Sequence, residues 1–332
     1  MSSFRKQIAD ALRAVRVTSP TSFQWFGEPA APLRRGVLSA LSPSAARELL
    51  VTRLASELYE SFFTHGAPTP RNAHGVDTGR SDPVFVAALS GANAGTGGWS
   101  DGWRVVDADD DVVVQRDGPR LRSAPSDLRV VAGGAPAPGA IVLARRPAEL
   151  RAASPGFYIA LGDVAGGRGP HAVEVRVYLH LTHTGAVPLI AAATRLLNDE
   201  RVAFTLKVVD HPRRFRRCDA AVLYLEQDAF ACARAPLRAV VAACAPHLRP
   251  ATPPFTKRLA PGVGIGEHAP VLGPSFGTGR CRLLAQGIVD AAEQRLTRPE
   301  DRMDAVARRF ARNGIDLDAA HLASPGRDDY VL

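Results

Sequence analysis

The sequence predicts an α+β fold: a largely antiparallel sheet flanked by helices, preceded by a helical and loop-rich N-terminal region. Three observations carry it. Period-two strands at 172–181, 202–209 and 220–225 lie close together. Helical patterns run over 186–199, from about Pro236, over 281–295 and over 299–313. Strands and helices do not alternate strictly, which argues against a parallel doubly wound sheet.

Two regions follow, one over residues 1–150 and one over 151–332. The first opens with a helix at 4–15. A second starts at the Ser42–Pro43 cap signal and carries Leu50, Leu54, Leu58 and Phe62. Loop-rich sequence with Pro68, Pro70 and the glycines of 91–98 comes next, then short strand pieces at 104–107 and 112–115. The stretch 134–139 reads as a linker or exposed turn. In the second region, 157–161 reads as a strand and 166–169 as a turn. In 172–181, Val175, Val177, Leu179 and Leu181 face one way, and Arg176, Tyr178 and His180 the other, so this strand is expected to be half-buried. Lys207 stands opposite Leu206 and Val208, and Tyr224 shares a face with Val222. Gly262, Gly264 and Gly266 are expected in a loop, following no strand, so a dinucleotide fingerprint is not expected.

Length and composition describe a water-soluble protein with room for a real core: 332 residues, 46% of them hydrophobic. The N-terminus lacks an apolar signal region, and no stretch of about 20 apolar residues is evident. A cytoplasmic protein is expected, without a membrane partner. Cys218, Cys232, Cys244 and Cys281 are scattered and read as reduced core thiols. The histidines show no metal-ligand spacing, so neither a metal nor another cofactor is expected.

Charge is more informative. The balance of +8 fits an anionic partner. Nucleic acid is disfavoured, because aromatics make up only 6% of the chain and there is no basic helix. That leaves an acidic or phosphorylated peptide. Only three of the 41 basic residues are lysines: Lys6, Lys207 and Lys257. A chain that otherwise writes arginine keeps lysine where a proton must be given up near neutral pH. Arginines 213, 214, 216 and 217 lie between two strands, and Lys257, Arg258, Arg280 and Arg282 follow further on. Gathered at the sheet, such groups make a phosphate-sized pocket of guanidinium forks. A lysine among them has its charged form disfavoured and can act as a base. A histidine held cationic beside a phosphate can act as an acid. These parts suit β-elimination of phosphate. Taken singly, His180 reads as a hydrogen-bonded sheet residue and Lys207 as a solvated strand lysine.

The stretches VRVYLHLTHTGAVPLIAAATRLLN, FTLKVVD, RRFRRCDAAVLYLE, FTKRLAPGVGIG and SFGTGRCRLLAQG resemble the HopA-type effector-like family, as does LYESFFTHG at 58–66. Members occur as type III effectors and in biosynthetic clusters for class V lanthipeptides and thioamitides. The resemblance implies a lyase that acts beside a kinase-like subunit. The kinase would phosphorylate Ser or Thr of a precursor peptide; the lyase would then yield dehydroalanine or dehydrobutyrine. The chain is also distantly similar to bacterial phosphothreonine lyases. On that likeness His180 matches the acid and Lys207 the base, 27 residues apart, and Arg214 lies ten before Tyr224. Tyr178 and Glu226 depart from the pattern, standing where basic residues are expected. The likeness therefore implies catalysis by Lys207, His180 and Tyr224. Phosphate would be held by Arg176, Arg214, Arg217, Lys257 and Arg280, and the remaining substrate by Tyr178 and Arg282. The alternative is a non-catalytic scaffold that binds peptide for a kinase-like partner. The N-terminal region is expected to dock peptide or partner.

Overall fold

The computed structural model describes residues 3–34, 41–71, 79–109, 111–116, 120–166, 173–324, 326 and 328–332. Most of the turn expected at 166–169, and residue 172 of the long strand, lie outside them. A seven-stranded sheet forms the middle layer. Its strands are β9 (Glu149–Ser154), β10 (Phe157–Leu161), β11 (Glu174–Leu179), β12 (Thr205–Val209), β13 (Ala221–Glu226), β14 (Lys257–Ala260) and β15 (Val263–His268). They are ordered β14-β15-β11-β13-β12-β10-β9, and every pairing is antiparallel. The fold is α+β, as the mixed pattern predicts.

Helices α3 (Pro83–Ala92), α4 (Ala186–Asp199) and α5 (Phe230–Cys244) pack on one face through Leu89, Leu189, Leu197, Leu237 and Val240, against Val175, Val177, Leu206 and Leu223. The other face is covered by α2 (Pro43–Ser61) and α6 (Phe276–Glu293), backed by α1 (Ser3–Ala14) and α7 (Pro299–Ala311). Tyr178 and Val222 enter this second core. β11 is therefore buried on both faces, not half-buried as expected. Helices α2 and α6 cover its polar-looking side.

Local chemistry explains the helix ends. Ser42 caps α2 by accepting from the Ala45 N–H at 3.2 Å, with Pro43 in the first turn. Asp82 caps α3, accepting from the Val84 and Phe85 N–H groups at 3.0 Å each. This helix lies where loop was expected; at ten residues and apolar on all sides it shows no periodicity. α5 begins at Phe230, not at Pro236, which lies inside it. The N–H that Pro236 lacks would meet the carbonyl of Cys232, an exposed residue that water can serve. The stretch Gln227–His247 is long and apolar enough to cross a membrane by length and composition. That corrects the expectation of no such stretch. Phe230, Ala233, Leu237, Val240 and Cys244 of this stretch are buried in the core. Cys218 and Cys281 are buried thiols as well, whereas Cys232 is exposed.

Gly264 and Gly266 lie within β15, not in a loop. α6 begins at Phe276 rather than Cys281, and Ser275 caps it. The two corrections are linked. A Cβ on Gly266 would sit 2.6 Å from the Phe276 ring, and one on Gly264 2.5 Å from the Thr256 hydroxyl. Bare strand backbone lets the first turn of α6 lie on the sheet, which buries Phe276 for about 1.5–3 kcal/mol.

Residues 98–146 build a second, five-stranded antiparallel sheet: β4 (Gly98–Asp107), β5 (Val112–Gln115), β6 (Arg120–Ser123), β7 (Leu128–Val130) and β8 (Ile141–Arg146), in the order β6-β5-β4-β8-β7. It has its own small core of Val105, Val112, Val114, Leu128, Val142 and Ala144. The stretch 134–139 is the turn between β7 and β8. Arg146 ties this sheet to the larger one through the carbonyls of Gly162 and Val164. Asp163 accepts from the Thr96 and Gly97 N–H groups at 2.9 Å each. A short three-stranded sheet, β1 (Val15–Ser19), β2 (Ser22–Trp25) and β3 (Glu28–Pro29), follows α1. Residues 148–150 lead directly into the seven-stranded sheet, and α2 packs on α6.

Gly266→Val is expected to cost about 1–3 kcal/mol by overpacking, read as a lower urea midpoint. Combined with Phe276→Ala, the valine should cost clearly less than it does alone. An equal cost in both backgrounds would show that the ring contact is not its origin.

Candidate active site on the central sheet

Antiparallel register puts Tyr178 opposite Val222 and Val222 opposite Lys207. The next row holds Arg176, Tyr224 and Thr205. All share the face that α2 and α6 cover. Their cover is complete over Tyr178 and Val222 and thins beyond them, leaving Thr205, Lys207, Tyr224 and Ile159 part-exposed. The polar strip lies where helical cover ends.

Lys207 sits in the middle of that strip. Its ammonium lies 4.0 Å from the centre of the Phe157 ring. The Arg217 guanidinium approaches the same ring at 5.8 Å. Burial lowers the Lys207 pKa, and the charges of Arg217 and Arg176 lower it further, while Asp219 opposes them. This is the direction a base requires.

Arg217 is fixed from behind. Its Nε donates to Asp219 Oδ1 at 2.5 Å and its Nη2 to Oδ2 at 2.8 Å. Tyr59 of α2 donates to Asp219 Oδ2 at 3.1 Å and accepts from Arg217 Nη2 at 3.2 Å. Burial alone would raise the Asp219 pKa, but the charge and hydrogen bonds of Arg217 outweigh it and hold the carboxyl below 3.8. The same carboxylate and burial push the Tyr59 phenol far up. Arg176 is held by Glu174 at 2.7 Å and lies 5.1 Å from the Tyr224 ring centre. Arg214 pairs with Asp210 at 2.7 Å, and its guanidinium lies over Gly156, next to Phe157.

A cleft of about 270 Å³ opens beside this strip, walled by Thr205, Tyr224, Glu226, Gly166 and two arginines of the smaller sheet's strand ends, Arg116 and Arg146. Arg116 also lies 4.9 Å from the Trp103 ring centre. Glu226 Oε1 is buried without a hydrogen-bond partner among the described residues. The cleft thus offers guanidinium groups, a phenol and one open acceptor.

Lys207, Arg217, Arg176 and Tyr224 come together as expected, with Arg214 at their margin. The other expected residues do not. His180 shares the face but lies one row further on, just past the end of β11, with β13 between it and the β12 strand of Lys207. It is 7% exposed, and its Nδ1 contacts the Ala251 carbonyl at 3.1 Å. Burial lowers its pKa, so it is neutral at pH 7, and the expected cationic acid is not what this pocket holds. Tyr178 is buried between Phe63 and Phe276 and is a packing residue, not a substrate contact. Arg280, 1% exposed, donates to the carbonyls of Ala320 and Leu322, so it holds backbone rather than phosphate. Lys257 pairs with Asp328 at 2.7 Å in a different cleft, and Arg282 is half-buried and pairs with Glu48. Among the described residues, no three His, Cys, Asp or Glu side chains gather as a metal site.

Sequence reading missed Phe157, Tyr59, Asp219, Arg116 and Arg146. Asp219 follows the arginine run by two residues, and that adjacency was a usable signal. The others join the strip only through tertiary contacts more than 40 residues away in sequence.

These features define an α+β protein with a cationic, lysine-centred strip on its central sheet. The HopA1 effector protein family matches residues 148–322, just over half of the chain, and the chain belongs to it. The solved effector protein from Pseudomonas syringae pv. tomato strain DC3000 is similar at 16% identity and a TM-score of 0.49, over 84% of this chain and 96% of that one. The effector from P. syringae pv. syringae strain 61 is similar at 14% identity and a TM-score of 0.47, over 84% and 97%. No curated protein matches.

Asp219→Asn leaves the Arg217 charge without its partner and is expected to cost about 3–5 kcal/mol. The carboxylate's depressed pKa stabilises the fold above the unfolded aspartate value. That contribution is lost as pH falls through the lower, folded value. The deficit measured by chemical denaturation should therefore be constant at neutral pH and shrink only below about pH 3.8. A deficit that persists unchanged at pH 2 would sink the ion-pair account.

Proposed function

We propose that this protein is a phosphoserine/phosphothreonine lyase acting on a phosphorylated precursor peptide in lanthipeptide-type biosynthesis, beside a kinase-like subunit. The observation that carries this reading is Lys207, a half-buried amine whose pKa is lowered by burial and two anchored arginines, next to an arginine-walled cleft. Family membership is consistent with it.

The chemistry follows from the positions. Neutral Lys207 takes the Cα proton of the phosphorylated residue. The electron pair left on Cα forms the Cα–Cβ double bond as the Cβ–O bond breaks, and phosphate departs with that bond's electrons. Arg217 and Arg176, with Arg116 and Arg146 across the cleft, stabilise the charge that moves onto the phosphate oxygens. Tyr224 takes the place of His180 as the proton donor to the leaving oxygen, because its phenol lines the cleft whereas His180 is buried and neutral. The product is dehydroalanine from phosphoserine or dehydrobutyrine from phosphothreonine.

Incubated with a phosphothreonine peptide, the protein should release the mass of phosphoric acid, followed by mass spectrometry. Lys207→Ala should slow this by about 10²–10⁴-fold. The wild-type rate should rise with pH as Lys207 loses its proton, with a midpoint below 10.5, the ordinary lysine value. A product carrying a free hydroxyl means hydrolysis and overturns the reading. Peptide binding without any mass loss would favour the scaffold alternative.

A further inference from the structure

The five-stranded sheet turns Val105, Val112, Val114, Val142 and Ala144 inward onto its small core. Its other face carries no such core. The register says what stands there. Arg104 is opposite Gln115 and Ile141, Gln115 is opposite Arg120, and Val113 is opposite Arg122. Arg129 is opposite Leu143, and Arg145 is opposite Trp99. Side chains alternate along each strand, so Arg104, Arg120, Arg122, Arg129 and Arg145 stand together on the outer face. All five are exposed.

These guanidinium groups are little used within the chain. Arg104 gives one N–H to the Gly139 carbonyl at 3.1 Å. Arg122 meets Asp111 at 3.3 Å, both largely in water. Arg129 lies 3.9 Å over the Trp99 ring. Arg120 and Arg145 make no ion pair with a described residue. Among the described residues, the segment's carboxylates stand mostly apart: Asp107, Asp109 and Asp111 at the β4–β5 end, Asp127 before β7 and Asp101 at the β4 bulge. Between the arginines stand Val113, Ile141 and Leu143, all partly or fully exposed.

We propose that this outer face binds an extended acidic peptide segment, with carboxylates in the arginine forks and apolar side chains over Ile141 and Leu143. Five strands at about 4.8 Å spacing present a face about 20 Å wide, the reach of about six extended residues. Guanidinium forks match carboxylates two bonds at a time. Nucleic acid fits less well. Bases need free aromatic faces to stack on, and the Trp99 ring is occupied by Arg129. The interleaved aliphatic side chains have no counterpart on a phosphate backbone. The proposal does not depend on elimination by Lys207.

The test is fluorescence anisotropy of the full chain with a labelled peptide of alternating Glu and Leu. Binding should weaken as salt rises. Replacing Glu by Gln in the peptide, or making the Arg120→Glu/Arg145→Glu double variant, should weaken it by about tenfold or more. Arg120→Gln/Arg145→Gln is read in the same way if the charge reversal prevents folding. Lys207→Ala should bind as the wild type does, which separates this surface from the proposed reaction. Equal affinity for the Glu and Gln peptides, or for wild type and the double variant, overturns the proposal. Tighter binding of single-stranded DNA than of the acidic peptide overturns it in favour of nucleic acid.

Discussion

Much depends on how far one helix pair reaches across the central sheet. α6 can lie down only where the sheet is bare, over Gly266, and there Phe276 meets Tyr178 and Phe63. α2 packs on α6 and on the same patch. Past Val222 the cover thins among the described residues, and the next row of the strand face brings in Arg176 and Thr205 beside Tyr224. The lysine-centred strip is therefore a boundary effect: backbone close enough to a hydrophobic core to be rigid, and open enough to hold a charge. A sheet covered fully on this face would have forced Lys207 to be paired or absent.

The boundary is also where a cation can be made uncomfortable without being lost. Full burial would require a countercharge for Lys207 itself. The countercharge goes instead to its neighbour. Asp219 and Tyr59 hold Arg217, and Arg217 with Arg176 repels the lysine's proton. The division suits the residue types. Arginine keeps its charge even when buried, so it supplies a fixed field. Lysine on the same site can yield its proton to that field. Tyr59 belongs to α2, so the N-terminal helices do more than pad the core. They fix the geometry of a group 160 residues away.

Much of this was legible in the sequence, and the limits have physical causes. Period two in 174–179 and 205–209 gave the strands and placed Arg176 and Lys207 on a shared face. Periodicity could not say that the same face would be half covered, because the covering residues lie in α2 and α6. Hence Tyr178 read as a contact and is packing, and His180 read as an acid and is buried and neutral. Arg280 misled for a similar reason. An arginine in a glycine-rich run looks like a phosphate ligand, but here the run opens a helix, and the guanidinium holds the carbonyls of Ala320 and Leu322. Arg116 and Arg146 were invisible because they belong to a separate sheet, whose docking rests on Asp163 and on the carbonyls of Gly162 and Val164.

That docking gives the smaller sheet two different surfaces. Its strand ends at Arg116 and Arg146 close the cleft beside Lys207, whereas its outer face carries arginines that the fold uses little. Charges serving only solubility would be expected in mixed sign across the face. Here the segment's described acidic residues gather mainly at turns, and five arginines share one pleat side with Ile141 and Leu143 between them. Sorting by pleat costs the fold a row of like charges with few countercharges among them. An extended acidic ligand offsets that repulsion, and the half-exposed aliphatic residues between the forks give its apolar side chains somewhere to go. On the proposal made above, the segment between α3 and β9 is a binding module docked beside the strip.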